Sequence, residues 1–142
     1  MQVDNILQSK GATVYTVSAG APLSEAVRLL NAHKIGAVVV VDAKGKVAGI
    51  LSERDIVRRL ESDPQALLAS PVRGAMTAKV ITATKAHSVS DLMELMTRHR
   101  IRHIPVVEGT ALVGIVSIGD VVKRKIEETE QEALALREYI AS

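Results

Sequence analysis

Two Ser-x-x-Asp motifs are the residues of this sequence whose type and spacing best suit ligand chemistry. They run from Ser52 to Asp55 in GILSERD and from Ser117 to Asp120 in GIVSIGD, each after a Gly-led apolar run. A carboxylate at the start of a helix can accept hydrogen bonds from both hydroxyls of a ribose, and a neighbouring serine hydroxyl can assist. The free N–H groups of such a helix start also attract phosphate. The same spacing forms a capping box, which stabilises a helix without any ligand, so one motif alone leaves both interpretations open.

The two motifs belong to an internal repeat. Residues 14–41 align without a gap with residues 80–107, and one residue is lost before the two Gly-led motifs align. The loss falls in polar, Gly-bearing segments between two apolar runs, where a β-hairpin tolerates a change of length. Self-similarity of this kind indicates two copies of one structural unit. Because the motif recurs at equivalent points of both copies, ligand binding is favoured over helix capping alone as its role.

In each copy, a segment with the apolar periodicity of a helix is followed by a predicted β-hairpin. Apolar residues at i, i+4 and i+7 predict one buried helix face in each repeat. These faces comprise Leu23, Val27 and Leu30 in the first repeat and Val89, Met93 and Met96 in the second. Runs of β-branched residues bounded by turns then predict strands at residues 37–41, 47–51, 103–107 and 111–116.

A second helix is expected after each Ser-x-x-Asp motif, and a short strand is expected to open each repeat, near residues 14–17 and 80–83. The second helices would bury Ile56, Val57, Leu60, Val121, Val122 and Ile126. A single unit of this size leaves one sheet face uncovered. The sequence therefore predicts an α/β (α+β) fold in which two β-α-β-β-α repeats pack around a pseudo-twofold axis. Each repeat would be a small three-stranded sheet with two helices.

The expected domain limits are the first repeat with an N-terminal segment at residues 1–62, a linker at 63–73, the second repeat at 74–128 and a helical extension at 129–142. Pro64 and Pro71 in the linker are expected to stop helices. Ala133, Leu134 and Ile140 give the extension a modest apolar stripe, which either extends the last helix or packs on a partner.

Composition excludes several classes of function. The absence of cysteine from all 142 residues excludes disulfides, thiolate zinc sites and thiol catalysis. Two tyrosines are the only aromatic residues, and 18 basic residues nearly balance 16 acidic ones, which disfavours nucleic acid. A long apolar stretch and a secretory signal are both absent, so we expect a cytoplasmic protein without a membrane segment. A Gly-rich phosphate loop, a nucleophile with its base and a metal-ligand set are absent too, so we expect no enzyme and no metal.

In their wider context the two motifs resemble a known family. GILSERDIVRRL and GIVSIGDVVKRKI, with RHRIRHIPVVE before the second, resemble a tandem of CBS domains, the Bateman module. The resemblance covers residues 14–126. It implies a stand-alone regulatory module that binds an adenine nucleotide, AMP or ATP foremost, or a related adenosyl ligand in the clefts between the repeats. It also implies an energy or metabolite sensor that forms a homodimer, acts on an unknown downstream protein and requires no cofactor.

The resemblance further implies two unequal clefts. In the first, Asp120 would hold ribose, Ser117 would assist, and residues of the first repeat would line the adenine. Arg102 and His103 would reach phosphate there. Their equivalents in the first repeat, Gly36 and Ala37, are uncharged, so the Asp120 cleft is the better candidate site. The full set is Thr16, Val17, Ile35, Gly36, Ala37, Val38, Arg102, His103, Ile115, Ser117, Gly119 and Asp120. The second candidate cleft has Ser52, Arg54, Asp55, Thr82, Ala83, Ile104 and Pro105.

Other interpretations stay open at this point. One is a protein-interaction module whose clefts bind no ligand. A nucleic-acid-binding protein that uses the basic segments 58–59, 98–103 and 123–125 is less favoured, and its binding would depend steeply on salt. Arg54 either serves phosphate in the second candidate cleft or lies on the surface. Arg98 and Arg100 fit a solvated basic helix end better than a ligand site.

Overall fold

The computed structural model describes residues 1–141, and these residues form two compact units. The Asp120 unit comprises Met1–Ala12, Thr82–Val107 and the chain from Gly114 onward, and the Asp55 unit comprises Thr13–Ile81 and Glu108–Val113. The elements in chain order are α1 (Val3–Lys10), β1 (Thr16–Ser18), α2 (Leu23–His33), β2 (Ala37–Val41), β3 (Val47–Ser52), α3 (Glu53–Val57), α4 (Pro64–Ala69), a 3₁₀ turn (Val72–Gly74), α5 (Val89–His99), β4 (His103–Glu108), β5 (Ala111–Ser117) and α6 (Ile118–Ala141). The domain limits expected from the sequence stay a prediction.

The Asp55 unit is built on the three-stranded sheet β1-β2-β3. Strand β1 pairs in parallel with β2, and β2 pairs antiparallel with β3. A turn with Gly45 at φ 77° joins β2 to β3, a backbone conformation that glycine adopts without strain. Helix α2 packs against β2. The core consists of Val17, Leu23, Ala26, Leu30, Val38, Val40, Leu51, Val72 and Ala75.

The opening strand expected near residues 80–83 is reduced to a single bridge. Ala83 donates from its N–H to Pro105 O at 3.0 Å and accepts from Val107 N at 2.9 Å. In the first repeat, Val39 N donates one further bond, to Tyr15 O at 3.3 Å. Pro105 occupies the position equivalent to Val39 and has no N–H, so the second ladder stops there. The sheet β4-β5 of the second repeat therefore has two strands.

Helices α2 and α5 form as predicted, but the middle of each buried face is shifted by one residue. Ala26 is buried in α2 where the sequence predicts Val27, and Leu92 is buried in α5 where it predicts Met93. Positions i+3 and i+4 lie on either side of the same helix stripe. The apolar spacing alone therefore does not choose between them, and packing against the neighbouring strands does.

The second helices bury fewer apolar residues than the sequence predicts. Ile56 packs against the core and Val121 is fully buried, as expected. The residues that are exposed against the prediction are Val57, Leu60, Val122 and Ile126. Helix α3 ends at Val57, so Leu60 lies beyond it. In the adjacent pairs Ile56–Val57 and Val121–Val122, consecutive residues project about 100° apart, and only the first of each pair faces the strands.

The linker contains a helix, which corrects the interpretation of one proline. Pro64 occupies the first position of α4, and the side chain of Asp63 before it accepts a hydrogen bond from Gln65 N at 3.0 Å. A proline at that position has no helical N–H bond to lose, and its φ already suits a helix. Pro64 therefore starts a helix, whereas Pro71 follows the end of α4 as predicted.

Helix α1 is absent from the prediction. Its buried residues Val3, Ile6 and Leu7 have helical spacing. The helix belongs to the Asp120 unit, where Val3 N donates to His87 O at 2.9 Å. Leu7 lies so close to β5 that a Cβ on Gly114 would come within 2.7 Å of Leu7 Cδ2. The N-terminal segment thus completes the unit that carries the second Ser-x-x-Asp motif.

Candidate functional site

Ser52 and Asp55 form a capping box where β3 turns into α3. Asp55 N donates to Ser52 Oγ at 3.3 Å, and Asp55 Oδ2 accepts from Ser52 N at 2.9 Å and from Ser52 Oγ at 3.1 Å. The capping function of the first motif is therefore confirmed. The same bonds fix the carboxylate at a helix N-terminus, the position from which it could also meet a ligand.

Ser117 and Asp120 repeat this geometry where β5 turns into α6. Asp120 N donates to Ser117 Oγ at 3.3 Å, and Asp120 Oδ2 accepts from both Ser117 N and Ser117 Oγ at 2.9 Å. One further contact distinguishes the second motif. Lys10 Nζ donates to Asp120 Oδ2 at 2.7 Å and to Ile115 O at 3.0 Å. Helix α1 thus supplies a cation to the candidate ribose carboxylate.

The surroundings of Asp120 lower the pKa of its carboxyl group. Partial burial raises this pKa, but the hydrogen bond from Lys10, the backbone N–H of Ser117, the charge of Lys10 and the Ser117 hydroxyl act in the opposite direction and outweigh burial. Asp120 is therefore ionised at neutral pH. An ionised carboxylate accepts hydrogen bonds only, which suits it to the hydroxyls of a ligand.

A third Ser-x-x-Asp box caps helix α5. Ser88 N donates to Asp91 Oδ2 at 3.1 Å, and Asp91 N donates to Ser88 Oγ at 3.0 Å. These hydrogen bonds from the backbone and side chain of Ser88 lower the pKa of Asp91 below its ordinary value. The local motif by itself is therefore no sign of a ligand. Asp55 and Asp120 differ from Asp91 because they follow a Gly-led strand and occupy equivalent positions of the two repeats.

The backbone before each hairpin lies beside its motif. Gly36 O accepts a hydrogen bond from Glu53 N at 3.0 Å, and at the equivalent point Arg102 O accepts one from Ile118 N at 2.8 Å. The exposed side chain of Arg102 therefore begins next to the N-terminus of α6. Its position suits a group that meets phosphate near that helix start.

The residues predicted for the two clefts are divided between the units. The Asp55 unit contains Thr16, Val17, Ile35, Gly36, Ala37, Val38, Ser52, Arg54 and Asp55, and the Asp120 unit contains Thr82, Ala83, Arg102, His103, Ile104, Pro105, Ile115, Ser117, Gly119 and Asp120. Six of these residues are buried, namely Val17, Ala37, Val38, Ala83, Ile104 and Pro105. Buried positions offer a ligand their backbone more readily than their side chains. That predicted site residues of both units combine into clefts stays a prediction.

Sequence reasoning missed Lys10 and the small pocket beside Asp120. The pocket has a volume of about 50 Å³ and is lined by Ile6, Ser9, Lys10, Asp120, Lys123, Arg124 and Glu127. Lys10 precedes the first repeat and has no counterpart in the alignment, so no motif points to it. The one available signal is the apolar spacing of Val3, Ile6 and Leu7, which predicts a helix ahead of the first repeat.

Within residues 1–141, no helix combines the length and apolarity needed to cross a bilayer. The same residues contain no cluster of three or more His, Asp or Glu side chains arranged to hold a metal ion. The cytoplasmic location and the lack of enzyme activity stay predictions from the sequence.

Comparison with known proteins identifies the repeats. Residues 10–62 and 72–127 match the CBS domain family model. The mitochondrial CBS domain-containing protein CBSX3 of Arabidopsis thaliana is 34% identical over 97% of this chain and 71% of its own length. The crystal structure of the CBS-domain containing protein ATU1752 from Agrobacterium tumefaciens is 46% identical, with a TM-score of 0.83 over 87% of this chain and 92% of that chain.

The CBS domain pair of protein MJ0100 is also similar in structure. It is 27% identical, with a TM-score of 0.79 over 90% of this chain and 98% of that chain. That crystal structure is a complex with 5′-methylthioadenosine and S-adenosyl-L-methionine. The sequence and structural matches span both repeats, in agreement with the predicted fold class. The chain therefore belongs to the CBS domain family and contains two CBS domains.

Proposed function

We propose that this chain is a regulatory module that binds an adenine nucleotide or a related adenosyl ligand and catalyses no reaction. The observation that carries the proposal is the duplicated geometry of Asp55 and Asp120, each fixed through Oδ2 at a strand-to-helix turn. The similarity to the MJ0100 pair, whose structure contains two adenosyl ligands, supports the ligand class. AMP and ATP are the ligands we propose first.

In this proposal Asp120 binds the ribose. Ser117 and Lys10 hold Oδ2, and Oδ1 accepts hydrogen bonds from the ribose hydroxyls. The lowered pKa of Asp120 keeps the carboxylate in its accepting form at neutral pH. Arg102 and His103 belong to the phosphate contact in this proposal, as the family resemblance implies.

The proposal includes a homodimer and a protein that responds to it. Val57 and Val122 occupy equivalent positions of the two repeats, and both are exposed. In this proposal they contribute to an apolar surface that the partner covers, because contiguous exposed apolar surface marks interaction sites. A ligand that favours one arrangement of the dimer would thereby reach the responding protein.

Thermal unfolding at fixed salt tests the ligand class. AMP, ADP, ATP, S-adenosylmethionine and GTP are added in turn, because a ligand that binds only the folded state raises the midpoint by mass action. Asp120→Ala removes the ribose carboxylate, and Asp91→Ala is the matched control because it removes the same kind of capping box from α5. We expect an adenosine ligand to shift the wild type and the Asp91 variant, while the Asp120 variant binds roughly 10- to 100-fold more weakly.

Two results would count against the proposal. If no adenosine ligand shifts the midpoint of the wild type, the chain is better described as a protein-interaction module. If the Asp120 and Asp91 variants respond equally to the ligand, the Ser117–Asp120 pair is a helix cap only.

A further inference from the structure

Helix α6 carries an exposed apolar seam. The helix runs over Ile118–Ala141. Apolar and small residues recur along it at alternating spacings of four and three residues, which is the heptad pattern of a two-helix interface. The α6 seam consists of Val122, Ile126, Thr129, Ala133, Leu136 and Ile140, and all six are exposed.

The seam lies on a different side of α6 from its contacts with α1 and the N-terminus, while Lys125 at the edge of the seam donates to Ser90 Oγ of α5 at 3.5 Å. Val121 is fully buried, Arg124 donates to Asn5 O at 2.9 Å, and Glu128 pairs with the N-terminal amine at 3.8 Å. At about 100° per residue, these three positions lie roughly 100–160° around the helix from the centre of the seam. Docking of α6 on α1 therefore leaves the seam facing outward.

We propose that the partner of the α6 seam is a second copy of this chain, whose own α6 packs against it in parallel and in register. This inference deepens the homodimer of the proposed function and rests on it. The heptad places Ile126, Ala133 and Ile140 at a positions and Val122, Thr129 and Leu136 at d positions. Isoleucine at a with leucine at d favours two parallel strands, and Ile126, Ile140 and Leu136 follow this pattern, whereas Ala133 at a and Val122 and Thr129 at d do not contribute to it.

The charges that flank the seam complement each other in this arrangement. In a parallel pair, each g position faces the e position five residues further along the partner helix. Lys125 then faces the partner's Glu130, and Glu132 faces the partner's Arg137. Lys125 also lies 3.7 Å from Glu128 of its own helix. Four complementary contacts result, because the two copies contribute symmetrically.

The antiparallel arrangements fit less well. The antiparallel register that covers the whole seam places Glu130 against the partner's Glu130 and Glu132 against the partner's Glu132, which repel. A shift of one heptad in either direction removes the repulsion. Each shift, however, leaves one end of the seam without a full partner, either Val122 and Ile126 or Leu136 and Ile140. The parallel register alone combines full coverage with charge complementarity.

The length of the seam explains why the folded units matter to the pairing. From Val122 to Ile140 it extends about 27 Å, at a rise of 1.5 Å per residue. Isolated helices of this length are marginal in water. Here the first turns of each α6 are already fixed by its unit, so the helix is nucleated before it meets its partner.

The absence of cysteine from the sequence allows a direct test in the full chain. Ala133→Cys places a thiol at the centre of the seam, where the two copies of a parallel, in-register pair come within disulfide reach. Leu134→Cys is the matched control, because Leu134 is the next residue of the same exposed helix, is 56% exposed and points about 100° away from the seam. We expect mild oxidation to give at least about tenfold more disulfide dimer from the Ala133 variant.

Light scattering on the unmodified chain separates the possible failures. A dimer that cross-links equally through both cysteines would overturn the pairing through α6 and leave the homodimer standing. A monomer would overturn both, while ligand binding is measured independently by thermal unfolding.

The parallel orientation of the two α6 helices is tested by charge exchange. Lys125→Glu and Glu130→Lys should each weaken the dimer, and their combination should restore it. Failure of the combination to restore the dimer would overturn the parallel register.

Discussion

Lys10 Nζ lies 2.7 Å from Asp120 Oδ2, so a residue of the first helix holds the carboxylate at the start of the last helix. The Lys10 side chain is 32% exposed and the Asp120 side chain 23% exposed. The pair lies at the position proposed for the ribose. A ligand that binds Asp120 and the helix that contains Lys10 therefore act on the same carboxylate.

Removal of the lysine should weaken the fold modestly. Lys10→Met keeps most of the apolar stem and removes two hydrogen bonds, so we expect a loss of about 1 kcal/mol in the free energy of unfolding. Urea unfolding measures this loss. Lys123→Met is the control, because Lys123 lines the same pocket without that pairing, and its effect should stay within about 0.5 kcal/mol. Equal losses in both variants would mean that the Lys10–Asp120 pair contributes nothing specific.

Acid should weaken the protein through Asp120. The pKa of this group is lowered in the folded chain, so its contribution to stability is complete above the unfolded value of about 3.9 and disappears as the pH falls through the lower folded value. Asp120→Asn cannot titrate. The difference in unfolding free energy between wild type and variant should therefore be largest near neutral pH and shrink below about pH 4. A difference that stays constant through the acid range would contradict the lowered pKa.

The close approach of Leu7 to β5 predicts a measurable effect of a single methyl group at Gly114. In Gly114→Ala the new Cβ would meet Leu7 Cδ2 at 2.7 Å, so the buried Leu7 side chain must leave its position, at a cost of about 1 kcal/mol. Gly74→Ala is the control, because nothing lies within 4 Å of its Cβ. Thermal or urea unfolding compares the two variants. A second substitution, Leu7→Ala, should relieve part of the clash, and strict additivity of the two losses would contradict the proposed contact.

Arg102 should matter to phosphate and not to adenosine. Arg102→Ala is expected to weaken the binding of AMP or ATP about tenfold, while adenosine binding stays nearly unchanged, because only the nucleotides offer a charged group to a guanidinium. Arg98→Ala is the control, since Arg98 pairs with Glu94 on its own helix. Isothermal titration measures the affinities of the wild type and of both variants for adenosine and for the nucleotide. Equal losses for adenosine and AMP would remove Arg102 from the phosphate contact.

Local patterns predicted most of the fold. The hairpins, the first helices and the caps at Ser52 and Ser117 depend on spacing and turn chemistry within a few residues, and these are visible in the sequence. The shortened opening strand of the second repeat also has a local cause, because Pro105 lacks the N–H that Val39 donates in the first repeat. Burial of adjacent apolar residues such as Val121 and Val122 depends on how each helix lies on its neighbours, which spacing does not specify.

The site was harder to predict because its distinguishing contact is distant in sequence. Ser88 and Asp91 satisfy the same local pattern as Ser117 and Asp120, so the pattern alone does not separate a helix cap from a ligand site. The contact that sets Asp120 apart comes from Lys10, 110 residues earlier. Nothing in the repeat alignment connects two positions that far apart.

The packing of Leu7 against Gly114 also determines the order in which the chain can fold during synthesis. Most of the Asp55 unit closes early, because Thr77 N meets Ile50 O, at 2.9 Å, soon after both leave the ribosome. Helix α1 precedes the rest of its unit in the chain. Val3 N can bond to His87 O once that segment has emerged, but Leu7 lacks its contact with Gly114 until β5 follows. A chain interrupted before β5 would therefore leave the Leu7 side of α1 exposed, and apolar surface of this kind is what makes incomplete folds prone to aggregation.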